Sequence, residues 1–166
     1  MDNRKCVCIG VSGGIAVYKA LDVVSALRKK DIDVRVIMTE SATKFVTPLP
    51  FQSLSQNMVV TDMFAEPKAY EIQHISLAKR ADVFLVAPAT ANIIGKVANG
   101  IADDMLSTTI MATRAKVIFA PAMNTNMYEH PIVQENINKL KKLGYEFIEP
   151  ASGVLACGDE GKGKLA

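Results

Sequence analysis

The sequence predicts an α/β domain built on a doubly wound parallel sheet, and three observations carry that prediction. Strand-like runs alternate with helical patterns along the chain. The runs KCVCIGV, DVFLVAPA and KVIFAPAM are continuously apolar, as strands covered on both faces must be. Right-handed crossovers between such strands place helices on both sides of the sheet. With 166 residues, 49% of them hydrophobic, a single domain over 1–166 with a sizeable core is expected.

The elements follow in order. KCVCIGV (5–11) is a first strand closed by SGG, and a helical pattern runs from Ile15 to Lys30. Its RKK end suits the negative pole of a helix, as does KLKK at 139–142. DVRVIMT (33–39) is a second strand. ESATKFV opens a short helix that Pro48 and Pro50 are expected to break. The stretch 51–73 is mixed and polar, with a short strand expected at NMVVTD. ISLAKRA (75–81) reads as a helix leading into the strand DVFLVAPA (82–89). NIIGKVANG is a helix ending at Asn99-Gly100, and Asp103 or Asp104 caps the next one, MLSTTIMAT. KVIFAPAM (116–123) is a further strand. PIVQENINKLKKLG (131–144) is an amphipathic helix with Pro131 at its start and Gly144 past its end, and YEFIEP gives a last strand.

Composition narrows the function. A net charge of +2, with 22% charged residues and no long single-sign block, gives no reason to expect a nucleic-acid partner. No apolar run approaches the roughly 18 residues that span a bilayer. The N-terminal stretch reads as a strand rather than a signal peptide. Three cysteines are an odd count, CVC has the wrong spacing for zinc, and two histidines complete no ligand set. A reducing, cytoplasmic setting is expected, with neither metal nor disulfide.

In sheets of this kind ligands bind beyond the carboxyl ends of the strands. The loops there read GVSGGIAVYK, VAPATANIIGK and APAMNTNM, and they should meet at one edge. Gly10, Gly13 and Gly14 do not make the dinucleotide fingerprint, Glu40 is a poor match to its acidic residue, and ATANIIGK lacks the leading glycine of a Walker A motif. What remains is a glycine turn at a helix start, suited to a mononucleotide-sized phosphate. Ser12 and Thr39 or Ser41 could add hydroxyl donors; the alternative is a tight turn without a ligand. Asn92 and Asn124 are either helix caps or amides that read a ligand. His74 stands at a helix start, which disfavours a cation and suits a neutral imidazole base, unless it is a surface or capping residue. His130 before Pro131 reads as structural.

GGIAVYK, HISLA, PATANIIGKVANGIADDML, PAMNTNM and LACGDEGKGKLA, taken together and in order, resemble the homo-oligomeric flavin-containing cysteine decarboxylases. The likeness is strongest to the branch acting on phosphopantothenoylcysteine, and it covers about residues 4–166. It implies a flavodoxin-like, Rossmann-like three-layer sandwich that binds FMN. It also implies decarboxylation of 4′-phospho-N-pantothenoylcysteine to 4′-phosphopantetheine, a step of coenzyme A biosynthesis, with no net redox change. By this resemblance His74 is the base during thiol oxidation, Asn124 holds the substrate carboxylate, and Cys157 protonates and helps reduce the intermediate. Gly13, Gly14, Ile15, Thr39 and Ser41 are expected against FMN, with Thr90, Ala91, Asn92, Ile93 and Ala122. Ala156 and Phe45 join Asn124 against the substrate. The tail, about 150–166, is expected to be a flexible substrate flap.

The same resemblance implies a homotrimer or a dodecamer of four trimers, with FMN near subunit contacts. It also raises fusion to a phosphopantothenate-cysteine ligase domain, of which nothing is encoded here. Tyr128 stands where many relatives carry tryptophan. Two alternatives stay open: a peptidyl-cysteine decarboxylase of the lantibiotic type, against which ACGDEGKG argues, and a non-catalytic flavin-binding regulatory subunit. A flavin prenyltransferase fits less well, having no evident use for the His–Asn–Cys set.

Overall fold

The computed structural model describes residues 3–64 and 73–166. The chain begins with β1 (Cys6–Val11), α1 (Val17–Arg28) and β2 (Asp33–Met38), the strand–helix–strand unit that its apolar runs dictate. Two short helices follow, α2 (Glu40–Thr43) and α3 (Pro48–Ser55), and α4 (Gln73–Arg80) leads into β3 (Val83–Ala89). Next come α5 (Ala91–Ala98), α6 (Met105–Ala112) and β4 (Lys116–Pro121), then α7 (Thr125–Glu129), α8 (Pro131–Lys142) and β5 (Glu146–Phe147). β6 (Ala151–Val154) and β7 (Glu160–Lys164) finish the chain.

The first five strands form one parallel sheet in the order β2-β1-β3-β4-β5. That is the flavodoxin-like order, with β2 on one side of β1 and β3 on the other. The loops after β1 and β3 therefore part over a crevice. Alternate residues of the strands feed two cores. Ile9, Val11, Val34 and Val36 pack with Val17 and Val24 of α1 and Phe51 of α3. On the other face Cys8, Phe84, Val86 and Phe119 meet Ile93 of α5, Leu106 of α6 and Leu140 of α8. Each such fully buried side chain contributes about 1.5–3 kcal/mol.

Two local readings are corrected. Pro48 starts α3 rather than only ending the helix before it, because its missing N–H is no loss in the first turn. The strand expected at NMVVTD reduces to a single parallel bridge between Val60 and Ile37, and residues 65–72 of the 51–73 stretch lie outside the described residues.

β2 opens on Asp33, which is 1% exposed. Arg80, in the last turn of α4, donates to its Oδ2 from Nε at 3.1 Å and from Nη2 at 2.7 Å. Arg35 Nε and Asn57 Nδ2 add donors at 3.1 Å each. Burial pushes this carboxyl up, but the hydrogen bonds from Arg80, Asn57 and Arg35 outweigh it and hold it below the usual carboxylate range. The cluster fastens α4, and with it His74, to the sheet.

Residues 151–164, within the stretch expected as a flap, are paired here as an antiparallel hairpin lying on the loop after β4. Met123 N–H donates to the Gly163 carbonyl at 2.9 Å. Gly163 has φ of +151°, and a Cβ there would stand 2.1 Å from the Met123 carbonyl oxygen. Only glycine permits so close an approach.

Candidate active site

The site starts from a clasp between two strand-end loops. Ser12, 2% exposed, donates its hydroxyl to the Pro88 carbonyl at 2.6 Å and accepts from Thr90 N–H at 3.1 Å. Its donor is committed to the fold, so the expectation that Ser12 offers a hydroxyl to a phosphate is corrected. Gly13 then passes so near the loop after β2 that a Cβ would meet Ser41 Cβ at 2.4 Å. Three loops are drawn together in this way around one cleft.

That cleft has a volume of about 1120 Å³. Gly13, Gly14, Ile15, Thr39 and Ser41 line one part of it. Thr90, Ala91, Asn92, Ile93 and Ala122 line another, so all ten expected flavin contacts share one cavity. Typical single-ligand pockets run to roughly 300–1,000 Å³, which leaves room here for a cofactor and a substrate together.

The chemistry of the cradle suits a phosphate. The N–H groups of Gly13, Gly14 and Ile15 have no hydrogen-bond partner among the described residues, nor do those of Ala91 and Asn92 at the start of α5. Unpartnered N–H groups at a loop and a helix N-terminus form an anion site. Thr39 and Thr90 accept from Ala42 N–H (3.1 Å) and Ile93 N–H (3.3 Å) as caps of α2 and α5, and this leaves their hydroxyl protons to donate. Since Thr90 caps α5, Asn92 is not a cap, and its amide is exposed in the cleft. The residues present therefore fit FMN.

Asn124 has two tasks. Its Oδ1 accepts from Asn126 N–H at 2.9 Å as the cap of α7. Its Nδ2 faces the hairpin turn, 3.4 Å from Asp159 Oδ2 and 3.8 Å from Cys157 Sγ. Cys157 is exposed and its thiol donates to the same Asp159 oxygen at 3.4 Å. Asp159 thus completes a three-residue group. Sequence reasoning passed over it, because an acidic residue in a glycine–lysine tail reads as a solvated charge. Ala156 lines a second, smaller cleft of about 270 Å³ beside the hairpin.

Other sequence-derived residues stand apart. His74 lies half-buried in the first turn of α4, and Phe45 is 51% exposed after α2. Neither is among the described residues lining either cleft. His130 caps α8, with Nδ1 accepting from Ile132 N–H at 3.2 Å. Burial pushes the Cys6 and Cys8 thiols up, with Asp33 adding to the effect at Cys6, so both remain protonated packing residues.

The chain is similar to known flavoproteins along its whole length. A family model described as Flavoprotein matches residues 1–166. The chain is 57% identical over 165 residues to the coenzyme A biosynthesis bifunctional protein CoaBC of Bacillus subtilis, covering 99% of this chain and 41% of that one. It is 49% identical over 164 residues to a probable phosphopantothenoylcysteine decarboxylase of Streptococcus mutans, covering 98% of this chain and 92% of that one. Among solved structures, a PPC decarboxylase mutant complexed with pantothenoylaminoethenethiol superposes with a TM-score of 0.86 at 30% identity, over 99% of this chain and 92% of that one. The FMN-dependent cysteine decarboxylase SpaF gives 0.87 at 32% identity, over 98% and 89%. The chain spans about two fifths of the length of the bifunctional relatives it matches.

Proposed function

The chain belongs to the flavoprotein family, and on that premise we propose that it carries the FMN-dependent decarboxylation of 4′-phospho-N-pantothenoylcysteine to 4′-phosphopantetheine. The observation that carries this reading is the grouping of Asn124, Cys157 and Asp159, which line neither cleft themselves but adjoin Met123 and Ala156, which do, next to a cradle whose N–H groups suit a flavin phosphate.

Bound FMN supplies a two-electron acceptor and donor beside the thiol-bearing carbon of the substrate. The chain's own groups then divide the remaining work. Asn124 Nδ2 donates to the substrate carboxylate, which takes the place Asp159 occupies in the resting site. Holding the carboxylate there would fix the orientation of the scissile bond. Cys157 Sγ–H, brought in by the hairpin, delivers a proton to the carbon that has lost CO₂. His74 takes the thiol proton, presented by another copy of the chain.

That role for His74 requires a homo-oligomer, a trimer or four trimers, with the flavin near subunit contacts. Ile15 on the loop after β1, Phe45 after α2 and Leu49 in α3 are 61%, 51% and 66% exposed, as residues covered by a neighbouring copy would be. The hairpin acts as the flap that opens for substrate. We place the chain in the cytoplasm, where Cys6, Cys8 and Cys157, all free thiols, stay reduced. No helix among the described residues is long and apolar enough to cross a membrane. No ligase activity is assigned to these residues.

Incubating FMN-loaded protein with the substrate should release CO₂ and yield phosphopantetheine. Flavin-loaded protein without turnover would refute the reading. Turnover of a peptide ending in cysteine instead would favour the peptidyl-cysteine alternative.

A further inference from the structure

We propose that the smaller cleft is the subsite for the substrate's phosphate end, a phosphomonoester dianion held between Lys19 of α1 and Lys164 of β7. The inference rests on the decarboxylase reading above. The two clefts are continuous, sharing Ile15, Ala122 and Met123 in their walls. The hairpin supplies one side of the smaller cleft through Ala156 and Lys164, and α1 supplies the other through Tyr18 and Lys19.

Charge separates the two spaces. Glu40, Asp62, Asp103 and Asp104 line the larger cleft, whereas no acidic residue among the described ones lines the smaller one. Neither Lys19 nor Lys164 has an ion-pair partner among the described residues. Lys162, the other hairpin lysine, is paired with Glu149 and lies 5.7 Å above the Tyr128 ring, so it is already committed. Two lysines without ion-pair partners among the described residues and a tyrosine, all lining one cleft, are donors of the kind a phosphomonoester dianion takes.

Length agrees. Thirteen bonds separate the sulfur from the phosphorus of phosphopantothenoylcysteine, about 15 Å when extended at backbone-like dimensions. Cys157 sits in the turn of the hairpin, and Lys164 lies at its base, opposite Ala151. The four residue steps from Glu160 to Lys164 span about 13 Å of strand. A substrate whose reacting end is at the hairpin turn is therefore long enough to reach the strand end that carries Lys164. Because Lys19 belongs to the body and Lys164 to the hairpin, the dianion also ties the two together over the reacting end.

The test compares the phosphorylated substrate with N-pantothenoylcysteine, which lacks only the phosphate, using FMN-loaded wild-type, Lys19→Gln, Lys164→Gln and Lys142→Gln proteins. Wild type and Lys142→Gln, at the exposed end of α8, should prefer the phosphorylated compound. Each cleft variant should lose about tenfold of that preference in kcat/KM, with the dephosphorylated compound affected less than about threefold. Equal use of both compounds by wild type, or equal losses on both in the variants, overturns the subsite. Wild type that turns over neither compound overturns the activity reading instead, and a binding measurement then decides the subsite. In that case 4′-phosphopantothenate should raise the melting temperature of wild type more than pantothenate does, and the difference should vanish in Lys19→Gln. No difference in wild type overturns the proposal.

Discussion

Replacing Gly163 by alanine should release the hairpin and leave the rest of the fold in place. The hairpin is held by the bond from Met123 N–H to the Gly163 carbonyl, by Leu165 at 7% exposure, and by the exposed Lys162–Glu149 pair. On general values these contribute about 1, about 2 and less than about 1 kcal/mol, so docking is worth about 3 kcal/mol. An alanine Cβ would stand 2.1 Å from the Met123 carbonyl oxygen, a backbone atom that cannot rotate away, at a φ of +151° that L-residues avoid. Clash and backbone strain together cost about 4 kcal/mol, enough to make the undocked hairpin the major state. Cys157 would then be withdrawn from Asn124. Turnover should fall about sixfold while the flavin spectrum stays bound, and the melting temperature should drop by about 6–12 °C as the docking energy is lost. Limited proteolysis should cut the variant after residue 150 and spare the wild type. Gly163→Ala protein with wild-type turnover and a protected tail would refute the reasoning.

Other outcomes are expected. Cys157→Ser should still release CO₂ but stall at the oxidised enethiol, and full formation of phosphopantetheine by this variant would remove the role given to the thiol. Asn124→Asp keeps an oxygen for the α7 cap and should melt near wild type, yet lose turnover about 100-fold; Asn124→Ala should additionally lose about 1 kcal/mol of stability. Asp33→Asn breaks the buried contacts to Arg80, Arg35 and Asn57 and should cost about 2–4 kcal/mol in denaturant titrations. Because the folded Asp33 carboxyl is held below its unfolded value, its contribution is complete above about pH 4. It is lost as pH falls through the folded value, so the gap between variant and wild type should close there. A gap unchanged down to pH 3 would count against an ionised Asp33 cluster.

The sheet and the flavin cleft are legible in the sequence for a physical reason. A parallel strand covered on both faces must be apolar at every position, and its loop must be small and polar where a ligand meets backbone. The hairpin is not legible, because the alternation of Gly161 and Gly163 with Lys162 and Lys164 offers no apolar face of the kind that marks a strand. Its position is decided by contact with Met123, far away in sequence. Pro48 reads equally as a breaker or a first-turn residue, and only the packing of Phe51 under α1 selects the second. Asp33 reads as an ordinary strand start, since nothing local reveals that Arg80 will cover it. The hydroxyls of Ser12 and Thr39 look alike in the sequence. Burial commits one to the Pro88 carbonyl and leaves the other in the cleft.

The double use of Asn124 has a consequence for how the site could change over time. Its amide oxygen belongs to α7 and its nitrogen, on the proposed mechanism, to the reaction, so the rotamer is fixed when the helix forms, before any ligand arrives. The side-chain entropy that a free asparagine would lose on binding has already been lost in folding. Drift at this position is correspondingly narrow: aspartate and serine can cap the helix, but neither retains an amide donor. A lineage that no longer needed the chemistry could therefore exchange Asn124 without harm to its fold, and the residue found there would report directly on whether the reaction is still under selection.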